Sequence, residues 1–211
     1  MVSRNRREAT DFAEGFRTLA VMMAYANGFG NNNQSPKLEN NFDAEVTRLE
    51  NLYTNYGCYC WIDGVDAGVI GGGKTKDMSD YHCKELYRCY KCVNIDYNKN
   101  YTDVSYNVDL SVDENGARSI DCKVNSKQDA ENICECDKRF AEDIAAVTNG
   151  CAAGEPADER HGAYCMDENM RTITGVRQDN GNKGTFDSRN TCEKAMPDHQ
   201  KENCCGIYPN R

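Results

Sequence analysis

Apolar residues recur at helical spacing near the start of the chain. Four of them share one side of a helix: Phe12, Phe16, Leu19 and Met23. This period predicts an amphipathic helix over residues 11–27. Gly28, Gly30 and the polar stretch NNNQSP end that helix. They predict a loop to about residue 41, and a short helix is predicted over residues 44–53.

The middle of the chain predicts a long helix followed by a β-hairpin. The helix is expected over residues 77–95 and contains the dense stretch DYHCKELYRCYKC. Residues 104–112 then alternate between apolar and polar side chains, as a half-buried strand does. The sequence DENG at residues 113–116 carries an Asn-Gly turn signal, and ARSIDC returns. Together these stretches predict the hairpin.

The longest helical pattern covers residues 128–148. One face of it is apolar and consists of Ile133, Phe140, Ile144 and Val147. Ser126 and Asp129 are suited to cap the start of this helix, and Gly150 is suited to end it. The remaining sequence is rich in glycine, asparagine and cysteine and has little periodicity. The pattern therefore predicts a mainly α fold with an irregular C-terminal part.

The cysteine content indicates an oxidising compartment. The chain has 13 cysteines in 211 residues without the repeated pairs of metal-binding knuckles. Cys89-x-x-Cys92, with His82 and Cys83 before it, could contribute to a zinc site. Structural zinc needs four converging ligands, and a second CxxC pair is absent from the sequence, so we favour disulfides. An odd count leaves at least one cysteine that is a free thiol or links to another chain.

The net charge of the chain limits the kinds of partner that it is expected to bind. A net charge of −9 and a pI of about 4.9 argue against nucleic-acid binding and against electrostatic docking on anionic membranes. Cations, basic proteins and mineral surfaces suit an acidic protein, although acidity alone also keeps a secreted protein soluble. The longest apolar run, residues 19–26, is far shorter than the roughly 20 residues of a transmembrane helix.

The order of these motifs resembles that of secreted phospholipases A2. The resemblance begins with YGCYC at residues 56–60, a glycine-rich loop, and a helix with a characteristic spacing of acidic, cysteine and tyrosine positions. The matching positions are Asp80, Cys83, Cys89, Tyr90, Cys122, Cys134, Cys136 and Asp137. It covers about residues 12–147, and the closing CCGIYPNR resembles the tail of large invertebrate members.

The resemblance implies an architecture and a domain organisation. It implies a phospholipase A2-like fold with two long antiparallel helices, an N-terminal helix and a β-hairpin wing. Residues 1–10, which contain the pair Arg6–Arg7, are interpreted as a start or propeptide-like segment. Residues 11–150 would form the phospholipase A2-like domain, and residues 151–211 an irregular cysteine-containing extension packed on it.

Two substitutions remove the chemistry that the resemblance would otherwise imply. Active members use a histidine as the general base, because imidazole titrates near neutrality, and the matching position is Leu86. The adjacent calcium-binding aspartate is replaced by Tyr87. Tyr90 and Asp137 match the supporting residues that orient the histidine, and we interpret them as buried hydrogen-bonding partners. We therefore expect a catalytically inactive homologue.

The calcium loop implied by the resemblance is altered as well. Trp61 replaces its first glycine, Asp63 replaces another, and the loop is longer than usual. We expect no cofactor. Calcium bound in another way is the alternative, with these candidate ligands: Tyr59, Trp61, Asp63 and Asp66. Asp77 and Asp80 flank the same loop.

The resemblance also implies disulfide pairings. Three are expected: Cys60–Cys83, Cys89–Cys136 and Cys122–Cys134. Cys58 should reach Cys151 or Cys165. The other cysteines are assigned to a network of the extension: Cys92, Cys192, Cys204 and Cys205. Separately, Asn100-Tyr101-Thr102 is an N-glycosylation sequon at a predicted loop.

We therefore expect a secreted, extracellular protein that acts by binding. Its partner would be an extracellular protein, a mineral or a lipid ligand, and the odd cysteine could link a dimer. The matrix or mineral-associated role follows from the acidity and the sequon. The alternatives are a calcium-dependent phospholipase A2 that hydrolyses the sn-2 ester, or an inactive toxin or lipid-binding subunit.

Overall fold

The structure is a computed structural model. It describes residues 3–7, 12–30, 39–53, 56, 59–60, 75, 77–154 and 165–166. Four α-helices are α1 (Phe12–Ala26), α2 (Glu39–Tyr53), α3 (Met78–Tyr97) and α4 (Gln128–Ala153). The strands are β1 (Ser3–Arg7), β2 (Tyr106–Val112) and β3 (Arg118–Asp121), and a 3₁₀ turn covers Tyr101–Asp103. The predicted mainly α, disulfide-rich class is confirmed.

Two helix ends differ from the prediction by more than two residues. The second helix was expected from residue 44 but begins at Glu39. The signal was present, because Phe42 continues the apolar spacing of Val46, Leu49 and Tyr53 into the polar first turn. Gly30 takes a left-handed φ of +78°, and a Cβ added there would lie 2.9 Å from the Phe42 ring. This proximity ties the start of α2 to the loop after α1.

The end of α4 was also predicted too early. The helix continues through Gly150 to Ala153, and Gly154 follows it with a φ of +79°. The amide of Gly154 donates to the carbonyl of Cys151 at 3.0 Å, which closes the last turn. A glycine inside a helix costs only about 1 kcal/mol relative to alanine, so flanking packing can carry a helix through it.

The contacts divide the chain into two compact units. Unit 1 consists of Met1–Asn51, Cys89–Ala145 and Cys205–Arg211, and unit 2 of Leu52–Arg88 and Ala146–Cys204. The largest fully buried side chains of unit 1 include Leu19, Met22, Met23, Tyr25, Val93, Tyr106, Val108, Ile133 and Ile144. Unit 2 buries Tyr53, Tyr56, Tyr59, Cys60, Cys83 and Leu86. The predicted boundaries at residues 10 and 150 remain predictions.

A three-stranded antiparallel sheet of order β1-β2-β3 belongs to unit 1. The predicted hairpin is confirmed as β2 and β3, with Leu110 opposite Ile120. The first strand was not predicted, because its sequence SRNRR has no apolar alternation and was interpreted as propeptide-like. It pairs with β2 with Asn5 opposite Val108. Backbone pairing therefore builds this segment into the sheet despite its polar sequence.

Within unit 1, the second half of α3 and the following loop run antiparallel to the first half of α4. Hydrogen bonds establish this antiparallel direction, because successively later residues of α3 and its following loop bond to successively earlier residues of α4. The pairs are Tyr90 with Asp137, Tyr97 with Asn132, and Lys99 with Asp129. The disulfide Cys89–Cys136 joins the same two helices. The predicted antiparallel helices are thus present in this unit.

The disulfides match the implied set in part. The bonds Cys60–Cys83, Cys89–Cys136 and Cys122–Cys134 are formed. The predicted partner of Cys58 was wrong, because Cys151 and Cys165 bond to each other across 14 residues, which leaves neither for Cys58. Cys58 itself lies outside the described residues, as do Cys192, Cys204 and Cys205. Cys92 is fully buried, which makes it unsuitable as a link to another chain.

None of the helices in the described part of the chain is long and apolar enough to cross a membrane.

Candidate functional site

The positions that would carry catalysis lie on α3. Leu86 is buried, at 3% exposure, and Tyr87 beside it is half-buried. A leucine side chain has no atom that accepts a proton, so position 86 cannot supply a general base. Both substitutions therefore stand on an ordered helix at the place where the family resemblance requires a histidine and an aspartate.

The two supporting positions are brought together in unit 1. The hydroxyl of Tyr90 donates to one oxygen of Asp137, and the hydroxyl of Tyr106 donates to the other oxygen at 2.5 Å. Asp137 is fully buried. The Tyr90 ring stacks on Tyr101 with centroids 4.2 Å apart and planes 5° from parallel. The carboxylate thus joins α3, α4 and β2 through two tyrosines.

Sequence reasoning identified Tyr90 and Asp137 but missed Tyr106. The sequence signal for a role of Tyr106 was weak, since Tyr106 is one of several apolar positions in an alternating strand. Both hydroxyl protons are directed to Asp137, and a buried carboxylate needs such donors. This arrangement links three elements through one buried acidic side chain, which is a structural role.

A second carboxylate cluster lies in unit 2 at the start of α3. Asp77 precedes the first helical residue, and its Oδ1 accepts the amide of Asp80 at 2.9 Å. This is the bond of an N-cap residue to the third helical position. The Oδ2 of Asp77 accepts the hydroxyl of Tyr56. Asp80 in turn accepts the amide of Tyr59 at 2.7 Å.

These contacts explain why the YGCYC motif and the start of α3 occur together in the sequence. Two buried acidic residues fasten Tyr56 and Tyr59 to the helix start, and the disulfide Cys60–Cys83 closes the same connection. The positive end of the helix dipole favours carboxylates at this place. Asp77 and Asp80 therefore act as structural acceptors, a role that their positions beside a loop did not reveal.

Burial changes the proton affinities in this cluster. It raises the pKa of Asp77 to about 6, which the Tyr56 hydrogen bond partly offsets. Burial raises the pKa of Tyr59 to about 12, with the Asp80 charge adding to the effect. The pKa of Tyr56 is raised as well, first by burial and then by Asp77. Both tyrosine hydroxyls thus remain protonated at neutral pH, and that of Tyr56 donates to Asp77.

The raised pKa of Asp77 predicts that its contribution to stability depends on pH. The folded protein binds this proton below about pH 6, whereas the ordinary value is 3.8, so the folded state holds more protons between these values. Stability from this group therefore increases as the pH falls from 7 towards 4. We expect Asp77→Asn to remove an unfavourable contribution of about 2–3 kcal/mol at pH 7.

Urea unfolding of wild type and Asp77→Asn on both sides of pH 6 measures this contribution. The variant should gain stability relative to wild type as the pH rises. Asp103→Asn, which changes an exposed carboxylate, serves as the control for the loss of a surface charge. A constant difference between Asp77→Asn and wild type would contradict the prediction.

The question of calcium concerns α3 and the loop before it. Tyr87 offers a neutral phenol where a carboxylate is required, and calcium prefers six to eight hard oxygen ligands. Within the described ranges, no group of three His, Cys, Asp or Glu side chains could hold a metal ion. The Lys84 ammonium lies 5.1 Å from the centre of the Tyr59 ring, which places a cation beside one predicted ligand. Trp61, Asp63 and Asp66 lie outside the described residues, so their role remains a prediction.

The sequon residue Asn100 is exposed before the 3₁₀ turn. Its side-chain oxygen accepts a hydrogen bond from Asn94 at 3.1 Å. An exposed position is what a glycan requires. Glycosylation at Asn100 remains a prediction.

The helices, the hairpin and the three matching disulfides define a mainly helical, disulfide-rich protein of phospholipase A2-like fold. The chain is 33% identical over 89 residues to "Group IID secretory phospholipase A2" of Mus musculus, covering 42% of this chain and 53% of that protein. It is 33% identical over 96 residues to "Phospholipase A2, membrane associated" of Bos taurus, covering 44% and 56% respectively.

The chain thus spans about half the length of the curated relatives it matches. No family model matches the sequence. No solved structure matches it either. The comparisons therefore support homology to secreted phospholipases A2 over part of the chain.

Proposed function

We propose that this protein is an extracellular member of the secreted phospholipase A2 family that no longer hydrolyses lipid and acts by binding. The observation that carries the proposal is Leu86, a buried aliphatic side chain at the position of the catalytic base. The homology to secretory relatives and the four disulfides described here favour an extracellular location.

The loss of catalysis is argued from proton transfer. An ester hydrolase of this class must remove a proton from the attacking water, and leucine offers no acceptor. Tyr87 is a poor replacement for a metal-binding carboxylate, so the electrostatic stabilisation of the reaction would be lost at the same helix. The surviving Asp137 is committed to two tyrosine hydroxyls, which gives it a structural reason to be retained.

The binding role follows from charge and compartment. A net charge of −9 favours cations, basic proteins or a mineral surface as partners, and disfavours the anionic surface of a membrane. We therefore place the protein among extracellular matrix or mineral-associated proteins. A lipid ligand remains the second candidate, because Leu86 makes the former catalytic position apolar.

Fatty-acid release from phospholipid micelles tests the proposal. In the presence of calcium, the purified protein should release no more fatty acid than a blank without protein. A secreted phospholipase A2 assayed in parallel is the positive control. Release at a rate comparable with the control, and abolished by a calcium chelator, would refute inactivity and favour the hydrolase alternative.

Calorimetric titration with calcium examines the metal separately. We expect no single-site binding isotherm for the wild type. A clear site that Asp63→Asn and Asp66→Asn both weaken would place calcium at the loop and would overturn the expectation of no cofactor. The same titration with a fatty acid distinguishes the lipid-binding alternative, since that ligand should bind whether or not calcium is present.

A further inference from the structure

The hairpin tip contains an Asn-Gly pair whose chemistry the binding role does not use. The sequence has four such pairs, at residues 27–28, 115–116, 149–150 and 180–181. In this dipeptide, the backbone nitrogen of glycine can attack the asparagine side chain, because glycine places no Cβ in the way. The structure describes three of the pairs, and it places them in very different surroundings.

The pair at the tip is open to solvent and lies in a tight turn. Asn115 and Gly116 are both exposed, and nothing lies within 4 Å of a Cβ added at Gly116. The Gly116 amide donates to the carbonyl of Asp113 at 3.1 Å, and the Asp113 amide donates to Ala117 at 2.9 Å. With its φ of +82°, Gly116 completes a type I turn with a G1 bulge.

The pair at residues 149–150 provides an internal comparison. Asn149 is also exposed, but it lies within α4, where the Gly150 amide belongs to the helical hydrogen-bond ladder. Attack on Asn149 requires several helical bonds to open together. The single turn bond of Gly116 opens at far lower cost, because local stability is least at exposed turns. The two asparagines are thus both exposed, but the backbone of the glycine that follows is free to move only at the hairpin tip.

The pair at residues 27–28 is restrained in another way. The Gly28 amide donates to the Tyr25 carbonyl at 3.0 Å, and the Gly28 carbonyl accepts the Arg118 guanidinium at 2.7 Å. Asn27 is half-buried, and its side-chain oxygen is shielded from solvent. The nucleophile is thus engaged in a hydrogen bond, and the side-chain carbonyl that it would attack is shielded from solvent.

We propose that Asn115 is a site of spontaneous deamidation that adds a carboxylate to the tip of the hairpin. The Gly116 nitrogen loses its proton to base and forms a bond to Cγ of Asn115. The bond from Cγ to the side-chain nitrogen breaks, and ammonia leaves with the proton. Water then opens the resulting succinimide at either carbonyl, which yields aspartate or isoaspartate. The only co-reactant is water, and no oxidation or reduction occurs.

The product changes the chemistry of the tip. Asp113 and Glu114 precede Asn115 and are both exposed. Asp113 is already an acceptor for the amides of Asn115 and Ala117, each at 2.8 Å. A third neighbouring negative charge increases repulsion within the turn, and isoaspartate also lengthens its backbone. Deamidation thus gives an acidic protein a more acidic form without an enzyme.

The rate of conversion at each pair tests the proposal. The full chain is incubated in mildly alkaline buffer, and peptides are analysed by mass spectrometry that resolves aspartate from isoaspartate. Asn115 should convert at least roughly tenfold faster than Asn149 and Asn27, because opening the helix or the clamped turn adds to the barrier. Asn115→Gln should show no conversion at that position, because glutamine would need a larger ring.

The reduced, denatured chain is the matched control. There the helix is gone, so the rates at the described pairs should become similar. Native conversion at Asn149 as fast as at Asn115 would overturn the proposal. So would conversion of Asn115 only after denaturation, or a product without isoaspartate, because the succinimide route yields both isomers. None of these outcomes depends on whether the protein hydrolyses lipid.

Discussion

Replacing Arg118 with methionine is expected to lower the free energy of unfolding by about 3 kcal/mol. The guanidinium at the start of β3 binds four carbonyl oxygens at the end of α1. Its Nη1 donates to Tyr25 and Phe29 at 3.0 and 2.7 Å, and its Nη2 donates to Gly28 and Gly30 at 2.7 and 2.8 Å. The Tyr25 carbonyl also accepts the Gly28 amide at 3.0 Å, and Arg118 adds charged donors to it and to the carbonyls that follow α1, so these bonds stabilise the helix end.

The ring of Tyr25 adds to the same interaction. The guanidinium carbon lies 4.7 Å from the ring centre, and the Tyr25 hydroxyl donates to the carbonyl of Ser111 in β2. The hairpin is thus fastened to α1 at two points. Loss of Arg118 removes charge-assisted bonds to four carbonyl acceptors at once.

Urea unfolding followed by circular dichroism measures the effect of Arg118→Met. Arg139→Met is the matched control, because Arg139 is exposed and lies 3.8 Å from Asp143. A change within about 0.5 kcal/mol is expected there. Arg118→Lys should lie between wild type and Arg118→Met, since lysine keeps the charge but lacks the planar fork. Equal effects at positions 118 and 139 would show that the clamp does not stabilise the fold.

Replacing Asp137 with alanine is expected to cost about 4 kcal/mol of stability. The change leaves the hydroxyls of Tyr90 and Tyr106 without their carboxylate acceptor in a buried region, and it also opens a small cavity. Tyr90→Phe and Tyr106→Phe should each cost about 1–2 kcal/mol, because each removes a single bond to the charge.

Unfolding of the single and double variants by urea measures the coupling in this network. The two tyrosine substitutions should not be additive, since they share one acceptor. Asp103→Asn, at an exposed carboxylate, should change stability by no more than about 0.5 kcal/mol. If Asp137→Ala cost no more than this control, the structural role assigned to the retained aspartate would be wrong.

Much of the secondary structure followed from local patterns. The period of Phe16, Leu19 and Met23 predicted α1, and the alternation before DENG predicted the hairpin. These signals are strong because one face of each element is buried, which imposes the period on the sequence itself. Helix ends were predicted less well. Gly150 resembles a stop, but only Gly154 takes the left-handed conformation that ends α4.

The candidate site was predicted in part. The positions of Leu86, Tyr87, Tyr90 and Asp137 followed from motif spacing, because a helix fixes where each side chain stands. Tyr106 and Asp77 were missed as site residues. Each acquires its role from a partner distant in sequence, Asp137 in one case and Tyr56 in the other. No local period carries that information.

The sequence by itself determined that Leu86, whose side chain cannot accept a proton, stands where the family resemblance implies a histidine, because residue identity alone decides whether a side chain can titrate. It also determined the cysteine spacing from which three disulfides were implied. Only the tertiary structure decided that SRNRR forms a strand and that Arg118 closes the end of α1. It also decided that Asp77 and Asp80 fasten the YGCYC segment. The physical reason is that strand pairing and the Arg118 contacts use backbone amide and carbonyl groups, which are common to residues of almost every type. The sequence therefore contains no distinctive signal for these contacts.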